Sequence, residues 1–430
     1  MTRLPQFIHG VIFITFLNAH LIEKLEDTPP SNSERTHNIA IIGAGLSGLT
    51  ATLTLVKNID ATNGLDYKIR VLEATDRIGG RVKTVTHDSK KFETGATFVN
   101  TEHTKIRELA AELNQTLFNK PAESFEQVIY LKNRSPEFGA EFNEEILTCV
   151  HDRQISQYET VWENYDYESS ITVTDMLQKC NATDYYKTLS EVAMRTEMGI
   201  DASECPAWLL EESWNIDLED KIFQVFGNVG DEASYYQDGA ESFVWKLLTR
   251  ISEISAEKSI EVEFLTGHKI HEVAESANGV KLSGEKPVLR DESTDFEQVF
   301  DHVIMTASLG AYKNMLKIRH ESITAEQVEF LEEFPMGSNA KMFLVFSEKW
   351  WDGSKNMDFI ADDYIVWLNH DDEIYEDRND GTHSLTVYVG GSKVGEVASG
   401  ALNATQVLKG LSEAYPGRNV TASFLTSYSV

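Results

Sequence analysis

The chain has 430 residues, 38 Lys and Arg against 69 Asp and Glu, and a formal net charge of −31. Binding to a phosphate backbone needs a cationic footprint, so nucleic acid and anionic membrane surfaces are poor partners for this composition. With 41% apolar and 10% aromatic residues the acidity is no sign of disorder, and at about 150 residues per domain the length suits two or three folded domains.

At the N-terminus, Arg3 precedes an apolar run from Phe7 to Leu17 that ends near the small residue Ala19. A basic start, a short apolar core and a small residue are the pattern of a secretory signal, and the run is too short to span a bilayer. The alternative is a leader that docks as a helix. A polar linker from Glu26 to His37, with Pro29 and Pro30, follows. Residues 1–35 are therefore expected to be signal peptide and linker. Asn-x-Ser/Thr sequons at Asn114, Asn133, Asn181, Asn403 and Asn419 are consistent with a secreted glycoprotein.

Asn38 to Ile42 is a short β-branched run of the kind that forms a buried parallel strand. It leads straight into Gly43-Ala44-Gly45-Leu46-Ser47-Gly48, after which Leu49 to Val56 has helical periodicity. Between a strand and a helix, GxGxxG has a physical purpose. Gly43 permits the tight turn, Gly45 lets backbone approach a pyrophosphate, Gly48 allows close packing, and the helix N-terminus offers free N–H groups. A second strand, Lys68 to Leu72, ends at Glu73, whose carboxylate suits an adenosine ribose. The polar loop Asp60 to Asp66 accounts for the long spacing between Gly43 and Glu73.

The next residues, Glu73-Ala74-Thr75-Asp76-Arg77-Ile78-Gly79-Gly80-Arg81, resemble the E-A-x-x-R-x-G-G-R signature of the flavin amine oxidase superfamily. That resemblance implies FAD as cofactor, with contacts from Gly43, Gly45, Gly48, Glu73, Arg77, Gly80 and Arg81. It continues through Phe92–Val99, similar to the family's flavin-facing segment, where Gly95, Ala96 and Thr97 would make room for the ring. Tyr235–Leu248 resembles the re-entry into the flavin domain, and Asp301–Leu309 the strand returning to its sheet, with Ser308 where the family usually has proline. Gly337–Trp351 alternates like a strand around Lys341 and resembles the segment whose lysine holds a water beside flavin N5. The subfamily fit is to polyamine oxidases of the spermine and acetylpolyamine type. Asn100 stands where those enzymes often have His or Glu; it can bind an amine but cannot act as a base.

The implied fold class is α/β, an FAD-binding Rossmann-like domain with a discontinuous mixed α+β substrate domain. Expected boundaries are 36–110 and 231–310 for the flavin domain and 111–230 and 311–430 for the substrate domain. The implied chemistry is hydride removal from the carbon beside a neutral amine to flavin N5, imine hydrolysis, and reoxidation by O2 to give peroxide. The expected partners are thus a small cationic amine and O2, with neither nucleic acid nor an integral membrane span. An acidic rim would concentrate a polycationic substrate; Asp362–Asp380 and Glu211-Glu212, beside Trp208 and Trp214, are visible acidic runs. Competing chemistries are thin. There is no GxSxG, and His268 and His271 lack a third metal ligand. Cys149, Cys180 and Cys205 allow either one bridge plus a thiol or three reduced thiols. The chain stops before the family's last flavin-closing motif, so the expectation includes either a piece of a longer oxidase or an inactive relative that binds a partner.

Overall fold

In the computed structural model the described residues are 36–87, 90–119, 125–132, 134–163, 170–225, 234–287, 293–315, 317–319, 336–351, 356–368 and 381–430, with isolated residues between 324 and 332. The apolar N-terminal run, Asn133 and the acidic residues 369–380 lie outside them. Two compact units are formed. The first takes the chain up to Thr84, Glu108–Gln115 and Asp238–Phe334; the second takes Val85–Arg107, Thr116–Gln237 and Pro335–Val430.

The first unit centres on a four-stranded sheet in the order Glu261–Leu265, Asp66–Leu72, Thr36–Ile42, His302–Met305, with all neighbours parallel. Parallel strands need cover on both faces, which is why this sequence has apolar runs rather than alternation: Ile39, Ala40, Ile41, Ile69 and Val71 are fully buried. One cover is the helix Leu46–Asn58, which buries Leu49, Leu53 and Val56 and contacts Ala240–Lys258. The other is an antiparallel sheet of Lys269–Ser276, Gly279–Pro287 and Ser293–Phe300, with Lys317–Arg319 added in parallel. Its Val273, Leu282, Phe296 and Phe300 pack on Ala40, Ile42 and Leu72. Each such buried side chain contributes about 1.5–3 kcal/mol. Thr36 and His37, expected in the linker, instead pair with Asp66 and Tyr67 as the start of the first strand.

The second unit is built on a seven-stranded sheet ordered Phe424–Ser429, Asn339–Phe346, His383–Gly390, Ile365–Leu368, Asn356–Ala361, Phe125–Tyr130, Glu137–Phe138. Alternation divides its two faces. Met342, Leu344 and Phe346 point one way, with Val128, Phe359, Val366 and Val387, onto Trp350, Trp351 and the helix Ala404–Ala414. On the opposite face Ile129, Ile360 and Ile365 pack against the helices Glu144–Tyr158, Val173–Lys179 and Asp184–Glu197. The second of these starts with a capping box between Thr172 and Asp175, satisfying two end groups reciprocally. Cys149 and Cys180 form a disulfide and Cys205 is a buried free thiol, so one of the two open alternatives applies: one bridge plus a thiol. Burial pushes the Cys205 thiol up to about 12.

Residues 85–107, expected with the flavin domain, cluster with the second unit. The reason is local: Phe98–Val99 pairs with Ser234–Tyr236, and the preceding carbonyls accept from Lys341. Among the described residues no helix is long and apolar enough to cross a membrane.

Candidate active site

In the first unit the two glycine motifs meet. The strand Thr36–Ile42 delivers Gly43 in a left-handed conformation (φ +102°), its N–H donating to Leu72 O at 2.8 Å. A Cβ on Gly48 would lie 1.9 Å from Gly43 O, so close packing excludes any side chain there. Gly45 and Gly79 form a parallel bridge, and Gly79 N donates to Ala44 O at 2.9 Å. A Cβ on Gly80 would sit 3.0 Å from Gly45 Cα. Two bare backbone loops therefore touch above the start of a 13-residue helix whose Gly45 N-cap provides no side-chain cap. Uncapped N–H groups at a helix start, with no Cβ in the way, suit an anionic diphosphate.

Glu73 is 8% exposed at the end of its strand. Its carboxylate accepts from Ala44 N at 2.8 Å, Thr75 N at 2.9 Å and Thr75 Oγ1 at 2.8 Å. A carboxylate has about four lone-pair sites, so capacity for a ribose hydroxyl remains. Arg77 is engaged within its own loop. Its guanidinium donates to Ile78 O and Val82 O, each at 3.2 Å, and to Gly80 O, bracing its own loop. Arg81 is exposed. Thr306, in the segment Asp301–Leu309, donates through Oγ1 to Ile42 O at 2.8 Å and Gly43 O at 3.2 Å, fixing the turn from the neighbouring strand. The residues present fit an adenine dinucleotide.

The second unit contains the lysine. Lys341 is 8% exposed, and its Nζ donates to Glu93 O at 2.9 Å, Gly95 O at 3.0 Å and Thr97 Oγ1 at 2.7 Å. An exposed strand lysine is thereby excluded. The lysine orders the segment containing Gly95, Ala96 and Thr97, of which Ala96 is exposed. Beside it lies a small cavity of about 10 Å³, lined by Glu93, Thr97, Phe98, Tyr235, Lys341, Trp367 and Thr386. Burial, then the Glu93 charge, raises neighbouring Tyr236 to about 12, so its hydroxyl stays protonated as a donor.

Several expected groups fall elsewhere. Asn100 is not among the cavity-lining residues, and its backbone N–H donates to His103 Nδ1 at 3.2 Å. Trp214 is core, packed edge-on to Phe223 with ring centroids 4.8 Å apart, and so cannot cage an ammonium beside Glu211. Asp362 accepts from Lys132 N at 2.7 Å and Asp363 pairs with Lys393 at 2.9 Å, which makes the start of that acidic run structural. His271 pairs with Glu285, and among the described residues no group of three or more His, Cys, Asp or Glu is placed to hold a metal. Trp367 and Thr386 escaped notice because only the cross-strand register brings them to Lys341.

Residues 46–427 match the family model described as flavin containing amine oxidoreductase. The probable polyamine oxidase 5 of Arabidopsis thaliana is 25% identical over 358 residues, which are 72% of this chain and 62% of that protein. An L-amino-acid oxidase of Siganus canaliculatus is 23% identical, covering 81% of this chain and 65% of its own. The chain thus spans less than two thirds of the length of these two relatives. Among solved structures, putrescine oxidase bound to putrescine aligns with a TM-score of 0.64 at 17% identity, over 92% of this chain and 84% of that one, a likeness of fold. With the glycine loops, Glu73 and the buried lysine in place, the match over most of the chain means that this protein belongs to the flavin containing amine oxidoreductase family, whose cofactor is FAD.

Proposed function

We propose that this protein oxidises an amine, with a polyamine as the substrate class. The observation that carries the proposal is Lys341, buried and tied by its Nζ to Glu93 O, Gly95 O and Thr97 Oγ1 at the wall of a cavity. A cation fixed by three acceptors costs no reorganisation when charge develops nearby. Bound FAD would supply the two-electron acceptor for the C–H bond beside the amine and pass the electrons to O2.

The remaining tasks fall to the chain. Gly43, Gly45 and Gly80 would present bare backbone to the diphosphate, Gly48 permits the close packing that shapes this turn, and Glu73 would take the ribose. Arg77 holds the second glycine loop in shape, and Arg81 supplies exposed positive charge. Gly95, Ala96 and Thr97, ordered by Lys341, would leave room for a flavin ring. Phe98, Tyr235 and Trp367 give the small cavity aromatic walls suited to an apolar part of a substrate. Asn100 is retained only as an amine contact. Glu93 contributes an anionic wall that favours a cationic substrate over one carrying a carboxylate.

The net charge of −31 supports the same choice, because it attracts a polycation. The Cys149–Cys180 disulfide supports a further proposal, that the protein works in a secretory compartment or outside the cell. Oxygen uptake and peroxide release measured with spermine, spermidine, acetylspermine, putrescine, n-butylamine and L-leucine test the proposal. Turnover favouring the polyamines is expected. Turnover of L-leucine with none of the amines would overturn it.

A further inference from the structure

The Asn-x-Thr sequons have no part in the proposed chemistry, and those at Asn181, Asn403 and Asn419 lie wholly within the described residues of the second unit. N-glycosylation joins a bulky, solvated oligosaccharide to the asparagine Nδ2, so a carrier asparagine must point to open water in the folded chain. The three sites differ in that respect.

Asn181 ends the helix Val173–Lys179. Its N–H donates to Gln178 O at 3.1 Å and the Ala182 N–H to Leu177 O at 2.9 Å, the two bonds of a Schellman turn. The turn holds Asn181 at φ +50° and satisfies the backbone, while its exposed side-chain amide makes no hydrogen bond among the described residues. Asparagine tolerates this left-handed conformation, and a helix end alone would account for it. It would not account for Thr183. That residue is exposed, stands at the N-cap of Asp184–Glu197, and makes no side-chain cap bond. A threonine hydroxyl left out of the cap is what the third sequon position requires, and Ala182 between the two is small and not proline.

Asn403 is built in the opposite way. Its Oδ1 accepts from Thr405 N at 3.0 Å, its Nδ2 donates to Gly400 O at 2.8 Å, and the residue is half-buried at the start of Ala404–Ala414. Giving up such a cap costs about 0.5–2 kcal/mol. Asn419 is exposed, but its Nδ2 donates to Glu348 Oε1 at 2.5 Å. A sugar at either place must stand beside a pinned amide, whereas the Asn181 amide is free to turn into water.

The residue before Asn181 points to the same compartment by different chemistry. Cys180 is bonded to Cys149, and such a bridge forms in the oxidising secretory pathway, where oligosaccharide transfer also takes place. We infer that Asn181 is N-glycosylated, in preference to Asn403 and Asn419. This rests on the secretory proposal and is independent of the amine-oxidase one. The donor is a lipid-pyrophosphate-linked oligosaccharide. The bond from its anomeric carbon to the pyrophosphate oxygen breaks, that oxygen keeps the electron pair, the carbon bonds to Asn181 Nδ2, and Nδ2 releases one proton.

The full chain is produced in mammalian cells twice, once with its own N-terminus and once behind a strong secretory signal. Peptide N-glycosidase in heavy-oxygen water converts each occupied asparagine to a labelled aspartate, read site by site by mass spectrometry of chain recovered from the secretory pathway and the medium. Label is expected at Asn181 in most molecules and at Asn403 and Asn419 in a minority. Asn181→Gln and Thr183→Ala should each remove one glycan's step in gel mobility, and Thr183→Ser should keep it. Because Thr183 makes no cap bond, the enzyme-deglycosylated Thr183→Ala chain should melt with the wild type, which separates loss of the glycan from misfolding. Label at Asn181 only behind the added signal would mean that the secretory proposal has failed while the site stands. An unlabelled Asn181 behind that signal, or occupancy at Asn403 or Asn419 equal to it or above, would overturn the inference.

Discussion

Gly45→Ala separates flavin binding from folding. Gly45 has φ −76° and ψ −177°, ordinary extended backbone that alanine adopts. The nearest atom to an added Cβ is Gly80 Cα at 3.8 Å, an ordinary van der Waals contact. Two small terms act on the apoprotein. Stiffening the unfolded chain stabilises by about 0.4–1 kcal/mol, and alanine at a helix N-cap costs about the same. The unfolding free energy of the apoprotein should therefore move by less than about 1 kcal/mol. The new methyl would project where the diphosphate must approach the bare backbone. Losing one charge-assisted hydrogen bond of about 2 kcal/mol weakens FAD roughly 30-fold. The assay is fluorescence titration of apoprotein with FAD beside a denaturant melt of the same sample. Unchanged FAD affinity would show that this loop does not hold the diphosphate, and an unfolded variant would show that the packing geometry is wrong. Gly48→Ala is the contrast: a Cβ 1.9 Å from Gly43 O must displace backbone, so stability and flavin are lost together.

Lys341→Met should retain FAD and slow at least one half-reaction tenfold or more, because the Nζ donors to Glu93 O, Gly95 O and Thr97 Oγ1 disappear; stopped-flow rates unchanged in both halves would refute the role. Replacing Cys149 and Cys180 by serine opens a loop of sequence separation 31 and should lower the stability of the second unit by roughly 3–4 kcal/mol, read from the denaturant midpoint. An unchanged midpoint would contradict this. Asp358 lies buried on the strand Asn356–Ala361, where burial and then the like charge of Glu197 push its carboxyl up to about 8. Its unfolded value is 3.8, so the folded state holds the extra proton and stability falls as pH rises between those two values. Asp358→Asn should remove that slope, its melting temperature gaining on the wild type from pH 5 to pH 8; parallel pH curves would show that the group is not buried as described.

Legibility in the sequence followed the range of the interactions. The first strand, glycine turn and helix were readable because all their determinants lie within twenty residues, from Asn38 to Val56. The Lys341 strand was readable from its alternation, with Met342, Leu344 and Phe346 on one face. That Arg77 also braces its own loop, through the carbonyls of Ile78, Gly80 and Val82, was not legible because it depends on the folded shape of the turn. Thr306 and Trp367 depend on pairing across strands distant in sequence, which no local pattern encodes. Asp358 was invisible for the same reason: in Asn-Met-Asp-Phe-Ile-Ala it reads as a surface carboxylate, and only the register turns it inward. The core position of Trp214, enclosed by Tyr186 and Phe223, likewise depends on packing across segments distant in sequence.

The visible absorption spectrum of the purified protein, recorded anaerobically before and after spermine is added, tests amine oxidation most directly. Flavin bands that bleach with spermine and return when O2 is admitted are the predicted result. A folded protein that holds FAD and keeps its bands unchanged with spermine, spermidine and acetylspermine would contradict the proposed activity.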